Sequence, residues 1–142
     1  MTFPPDPNEI LRLKALKDLE ASKWLPNVTI DRVTAFARSH FGVPMCLVNL
    51  IEADQALVAS KQGLDVSRLD RRIAFCSHTI LQPSVLVVSD ARADERFKDN
   101  SVVTGEPYIR FYAGAPLIYE GDVRLGSLCL LDTKPRSFSR GE

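Results

Sequence analysis

The sequence predicts an α+β fold, one antiparallel β-sheet with helices gathered on one face. Three features carry the prediction. Two segments with helical periodicity and clear start and stop residues open the chain. Apolar, strand-like runs follow, with two hairpin-like pairs closed by the short turns ADQ (53–55) and EGD (120–122). Between those pairs lie only a short helix-like stretch, one further strand and polar irregular segments.

The first helix starts at DPNEILRLKALKDLEAS (6–22). Asp6 suits an N-cap, Pro7 the first helical position, and Glu9 a capping box. Ile10, Leu13, Leu16 and Leu19, with Leu11 and Ala15, form an apolar stripe. A three-residue spacing drifts around the helix, so this stripe is broad enough to face both the domain and a second subunit. Leu25, Pro26 and Asn27 interrupt the pattern. A second helix follows in TIDRVTAFARSHF (29–41), with Thr29 as cap and Asp31 in the first turn. Ile30, Val33, Phe36, Ala37 and Phe41 are its expected buried face. Gly42 stops it, and Pro44 follows.

MCLVNLIEA (45–53) and ALVASKQG (56–63) then read as a hairpin. GLDVSRLDRR (63–72) reads as a charged loop in which Arg68, Arg71 and Arg72 are solvated. AFCSHTILQ (74–82), ended by Pro83, fits a helix of two turns. VLVVSDA (85–91) is a strand. ADERFKDNSVVTGEPYI (93–109) is turn-rich, with one helical turn at ADERF. FYAGAPLIYE (111–120) and RLGSLCLLD (124–132) are the closing strands. Gly114 and Gly126, inside these last two, mark close backbone approach or a bulge. Ser139, before Arg, Gly and Glu, resembles the cap of another helix, so the 142 residues read as one domain taken from a larger protein.

Composition narrows function. Of the residues, 45% are hydrophobic and 25% charged, enough for one core. The 18 basic and 18 acidic residues cancel, which leaves no footprint for nucleic acid or an anionic membrane. No apolar run approaches the ~20 residues of a membrane span. MTFPPDPNE has neither region of a signal peptide, so a cytoplasmic location is expected. Cys46, Cys76 and Cys129 are odd in number and widely spaced, against a disulfide framework.

Cys76 and His78 are the first candidates for chemistry. On a helix, residues two apart point about 200° apart and cannot serve one metal or one substrate. A zinc site needs further ligands, and the other histidine, His40, lies on the second helix. A catalytic thiol needs a base oriented by a third group, which the spacing does not supply. Cys76 is therefore expected to pack as a small apolar residue, with His78 toward a loop or pocket. Phosphate-binding glycine loops and zinc-protease, nucleophile-elbow and EF-hand patterns are missing from the sequence. DARADERFKDN (90–100) and GEPYIRFYAGAPL (105–117) bring Asp90, Arg96, Phe97, Tyr108, Arg110, Phe111 and Tyr112 into a short span. Aromatics beside arginines can wall a pocket for a small anionic or planar ligand. Equally, an Asp90 bridge to Arg96 or Arg110 can pin the loop while the aromatics fill the core.

NEILRLKAL, FGVPMCLVNLIEAD, KQGLD, AFCSHTIL, VSDARADERFKDN, GEPYIRFYAGAPL and GSLCLLDTKPRSFS, in this order, resemble the GAF domain family. The likeness is to the type found N-terminal to bacterial histidine kinases and diguanylate cyclases. It implies a GAF/PAS-like antiparallel sheet of five or six strands, terminal helices on one face and a ligand pocket on the other. It also implies a non-catalytic sensory module that binds a small effector. The module would dimerise through its terminal helices and drive an output domain beyond Glu142. On this reading the ligand-binding residues are Phe75, Cys76, His78, Asp90, Arg96, Phe97, Tyr108, Arg110, Phe111 and Tyr112. The cofactor is unspecified: an N-K-F-D-E cyclic-nucleotide motif is missing, and Ser77 separates Cys76 from His78, unlike the usual bilin anchor. The rival expectations are a ligand-free dimerisation module, its cavity filled by Phe111 or Tyr112, and a small redox enzyme using Cys76.

Overall fold

A computed structural model describes residues 5–19, 27–119 and 121–137. Two helices come first, α1 (Glu9–Leu19) and α2 (Val28–Phe41). The strands are β1 (Met45–Ile51), β2 (Gln55–Gln62), β3 (Arg68–Asp70), β4 (Leu86–Val88), β5 (Phe111–Tyr119) and β6 (Val123–Asp132). Single-turn helices α3 (Cys76–Thr79) and α4 (Ser101–Thr104) lie between strands. All strand pairs are antiparallel, in the order β3-β2-β1-β6-β5-β4. The expected α+β sheet is present, with six strands.

The two-residue period of the strands divides the core. On one face Cys46, Phe111, Ala113 and Leu130 pack under Ala37 and Phe41 of α2. Leu50, Leu117 and Leu125 pack under Ala15, Leu16 and Leu19 of α1. On the opposite face Met45, Leu47, Tyr112, Cys129 and Leu131 meet Phe75, Phe97 and Val103 from the connecting segments. A second group there joins Ile51 and Ala56 to Ala74, Cys76 and Ile80. Helices thus cover one face, and α3, α4 and irregular chain cover the other. Leu125 is a bulge, because Leu117 pairs with Gly126 but Ile118 pairs with Arg124. A Cβ on Gly126 would lie 1.8 Å from the Asn49 carbonyl oxygen, so glycine lets β6 approach β1 there.

Several local expectations change. The cap of α2 is Asn27, whose Oδ1 accepts from Ile30 N at 3.1 Å, two residues ahead of the expected Thr29. Gly42 ends the helix in the left-handed conformation as expected, at φ 65°. Val33 and Phe36 are exposed, and Thr34 is buried instead, bonded to Ser60 at 2.8 Å. The α1 capping box is half formed. Asp6 Oδ1 accepts from Asn8 N at 2.8 Å, but Glu9 turns to Arg12 and Arg71. Ile10 and Leu11 are exposed, and Arg12 takes the fully buried position in the stripe. The segment 63–72 holds the short edge strand β3, and its Arg71 is fully buried while Arg68 and Arg72 are solvated. The expected strand 85–91 narrows to Leu86–Val88, and α3 is one turn rather than two. The turn expected at ADERF is closed by Phe97 N and Lys98 N, which donate to the Asp94 carbonyl at 3.0 and 2.8 Å; a 3-10 turn at Ala91–Ala93 precedes it, and Ser101–Thr104 is helical where irregular chain is expected. Ser139 lies outside the described residues.

Candidate functional site

The residues expected at a ligand site divide into three groups. Phe75, His78, Phe97 and Tyr112 come together on the face away from α1 and α2. Phe75 and Phe97 are stacked with centroids 4.2 Å apart, Phe75 lies 5.2 Å from Tyr112, and His78 meets Phe97 edge-on at 4.8 Å. The edge-on contact of His78 with Phe97 suits the ring quadrupoles. Phe75, Phe97 and Tyr112 are buried and His78 half-buried.

Beneath this aromatic wall is a polar floor. Tyr112 Oη lies 2.6 Å from Thr79 Oγ1 and 3.5 Å from Ser127 Oγ. Asn49 Nδ2 donates to Cys76 Sγ at 3.5 Å and approaches Cys129 Sγ at 3.7 Å. Asn49 Oδ1 is buried with no hydrogen-bond partner. The sequence reading missed Asn49, Thr79 and Ser127. Their signal was a lone polar residue on the inward face of an otherwise apolar strand or helix, as in MCLVNLI.

Cys76 and His78 leave α3 in different directions, as helical geometry requires. Cys76 faces Asn49 and the core, whereas His78 faces Phe97. Burial pushes the Cys76 thiol up to about 11, against the Asn49 hydrogen bond that lowers it. Burial, reinforced by the Arg96 charge, lowers the His78 imidazole, so it is biased to the neutral form. Among the described residues, no group of three or more His, Cys, Asp and Glu side chains is arranged to hold a metal ion. The thiol is nucleophilic only as thiolate, and a rise from the ordinary 9.0 to about 11 removes roughly 99% of it at neutral pH. We therefore expect Cys76 in the folded protein to react with a disulfide reagent such as DTNB at least ~100-fold more slowly than in urea-unfolded protein. Peptide mapping of the labelled thiols over time checks this, and prompt native labelling of Cys76 contradicts it.

The second group lies at the rim and its pairing differs from expectation. Asp90 bonds Arg92, two residues on, at 2.8 Å, in place of Arg96 or Arg110. Arg96 pairs with Asp94 in the same way, at 2.8 Å, and its guanidinium lies 5.1 Å from the Phe97 ring. Asp70 and Arg72 repeat the motif at 2.6 Å. In each case the aspartate also accepts the backbone N–H two residues on, so the D-x-R spacing closes a local turn before any longer bridge can form. The arginine hydrogen bonds hold Asp90 and Asp94 below the ordinary carboxylate range. Arg110 donates to the Val103 carbonyl at 2.7 Å and lies 5.8 Å from the Tyr108 ring. Tyr108 is exposed and holds a φ of 61°, which a non-glycine residue rarely adopts.

Phe111 forms the third group alone. It packs on the helix face with Cys46 and Leu130. Tyr112 is its neighbour in a strand, so the two must point to opposite faces. Two open grooves also lie on the helix side. One, of about 380 Å³, runs along Arg38, Gly42 and Gln62. The other, of about 270 Å³, lies between α1 and the β5–β6 hairpin at Leu11, Tyr119 and Val123.

The model of the GAF domain family matches residues 26–142. A cyclic di-GMP phosphodiesterase from Pseudomonas aeruginosa is 38% identical over 137 residues, which cover 96% of this chain. The chain spans only 23% of that relative's length. Among solved structures, the GAF domain of a phosphoenolpyruvate-protein phosphotransferase from Coxiella burnetii superposes with a TM-score of 0.64 at 17% identity. That match covers 93% of this chain and 83% of the other. Free methionine-R-sulfoxide reductase from Neisseria meningitidis superposes with a TM-score of 0.63 at 18% identity, over 98% of this chain and 83% of the other. At such identities the two structures speak for the fold alone.

Proposed function

This chain belongs to the GAF domain family, and from that premise we propose that it is a regulatory, small-molecule-sensing domain of a signalling protein. The effector binds between the sheet and α3, and the terminal helices carry its presence to an output domain elsewhere in the polypeptide. The observation that carries the reading is the buried polar floor under an aromatic wall: Asn49, Thr79 and Ser127 below Phe75, His78 and Phe97. Ligand sites commonly combine an apolar, aromatic lining with a few converging polar groups. The orphaned Asn49 Oδ1 is an acceptor that a ligand donor can satisfy. The relative from Pseudomonas aeruginosa supports an output in cyclic di-GMP turnover. Two copies associate through their helices, on the cytoplasmic side. Among the described residues no helix is long and apolar enough to cross a membrane.

A second reading has its own observation. Tyr112 fills the centre of the site and is hydrogen-bonded there, as a ligand-free dimerisation module requires. A redox role for Cys76 is the weaker alternative, because the thiol is buried and raised to about 11.

Native mass spectrometry of the freshly purified domain, beside its denatured mass, separates these readings. Extra mass lost on denaturation is the expected result for the sensor and gives the effector's mass. A bare dimer in every preparation supports the dimerisation module. Extra mass that survives denaturation points to a covalent adduct.

A further inference from the structure

Two arginines of this small domain, Arg12 and Arg71, are fully buried, and both grip one carboxylate. Arg12 Nη2 donates to Glu9 at 2.9 and 3.0 Å, and Nε at 3.1 Å. Arg71 donates to the same carboxylate at 2.5 and 2.9 Å. Asp6, also buried, is 3.8 Å from Arg12 and balances the second positive charge. Further bonds go to the end of β1 and the turn after it. Arg12 bonds the Ile51 carbonyl, and Arg71 the carbonyls of Glu52 at 3.2 Å and Ala53 at 3.3 Å. The first turn of α1 is thus fastened to the sheet by charge, while its outer residues Ile10 and Leu11 stay in solvent.

Arg71 is also tied in the other direction. Its own carbonyl oxygen accepts from Ser77 Oγ at 2.6 Å, inside α3. Two residues further on, the Ile73 carbonyl accepts from Asn100 Nδ2 at 2.8 Å, at the start of α4. One buried residue therefore holds α1 with its side chain and α3 with its backbone. We propose that Glu9, Arg71 and Ser77 form a mechanical relay that makes release of α1 and loosening of α3 a single event. The relay draws its biological meaning from the sensory reading above, since α3 roofs the proposed effector site.

The physical reason is the cost of separating a buried guanidinium from its partly buried carboxylate. If the first turn of α1 moves, Glu9 leaves Arg71, and a guanidinium in the interior loses the bonds and charge of that carboxylate, which is disfavoured. Arg71 lowers that cost by following the carboxylate. Its backbone then moves too, and the Ser77 bond breaks. A packed interior has discrete arrangements rather than a continuum, so such a shift behaves as a two-state step. In the converse direction, a group that lifts α3 pulls on Arg71 and weakens its hold on Glu9. Coupling between two sites is reciprocal in free energy.

Amide hydrogen exchange on the ligand-free protein tests the relay whether or not an effector binds, so its failure is distinct from failure of the sensory reading. Ser77→Ala removes a hydroxyl and no charge. We expect about tenfold faster exchange at the amides of His78 and Ile80 and, equally, at the amides of α1 from Arg12 onward. Amides of β6 from Leu128 to Leu131 should keep their rates. Glu9→Gln should produce the same pair of changes from the other end. Faster exchange confined to α3 in Ser77→Ala overturns the relay, as does a uniform rise that includes β6. Should Glu9→Gln not fold, Ser77→Ala alone carries the test. Arg68→Gln, which removes an exposed partner of Glu52, should leave α1 and α3 unchanged together, and a change in both would equally count against the relay.

Discussion

Replacing Arg71 with alanine should cost about 1.5–3 kcal/mol of folding stability, the range for hydrogen bonds to a charged group, because Glu9 is partly exposed and keeps Arg12. Total stabilities of small domains lie near 5–15 kcal/mol, so the unfolding midpoint in urea should fall measurably. Arg71 is buried, and its loss leaves the carbonyls of Glu52 and Ala53 without their donor and Glu9 with Arg12 alone. The adjacent residue supplies the contrast. Arg72 is exposed and pairs with Asp70 at the surface, so Arg72→Ala should leave the midpoint essentially unchanged. Acid gives a second reading of the same clasp. Burial raises the Glu9 carboxyl, but the Arg71 hydrogen bond and both guanidinium charges outweigh it and hold the group below its ordinary 4.5. A lowered native value means that the stabilisation is complete above 4.5 and is lost as pH falls through the native value. The gap between wild type and Arg71→Ala should therefore narrow below that pH. Urea titrations followed by circular dichroism at neutral and acid pH measure both effects. A loss below about 1 kcal/mol at neutral pH would show that charge does not fasten α1.

The same residue illustrates what a sequence can and cannot convey. In RLDRR, Arg71 sits between an acid and another base, and local reading places all three arginines in solvent. Its carboxylate partner lies 62 residues away, and no local pattern announces a pairing at that distance. Arg12 is hidden for a related reason, since it occupies a core position inside a stripe otherwise made of leucine and alanine. The central strands, in contrast, are carried by local chemistry. MCLVNLI and RLGSLCLLD are apolar on both faces because helices cover one side and connecting chain the other. Strand β3 has three residues and one apolar side chain, too little for a periodic signal. At the site, the aromatic partners Phe75, Phe97 and Tyr112 were legible, and Phe111 was misassigned although the two-residue period contained the answer. The D-x-R turns were legible in principle as well. Spacing of two at Asp90 and Asp94 favours closure with the nearest arginine over a bridge across the loop.

Truncating Tyr112 to alanine should cost about 3–5 kcal/mol, the range for removing a large buried ring, and should open the site at its centre. The ring is 1% exposed, and its hydroxyl joins Thr79 on α3 to Ser127 on β6. Gly114, two residues along the strand, exists in the space the ring needs. A Cβ there would fall 2.2 Å from Tyr112 Oη. Tyr112→Phe keeps the ring and should lose only about 1 kcal/mol for the hydroxyl, so the two variants separate packing from hydrogen bonding. The informative step is to add p-cresol, the detached side chain, to Tyr112→Ala. A ligand at a hundred times its Kd stabilises by about 2.7 kcal/mol, a rise in melting temperature that wild type should not share because its ring already occupies the space. Rescue would mean that Phe75, Phe97 and His78 hold their places without the ring, so the walls are preformed and Tyr112 is a removable plug. Destabilisation without rescue would mean that the walls fold inward once it is gone. An effector would then have to spread Phe75 and Phe97 as it enters, and α3 could not stay where Ser77 now fastens it. A Tyr112→Ala protein as stable as wild type would remove the ring from both roles and return the core of the site to Phe75 and Phe97 alone.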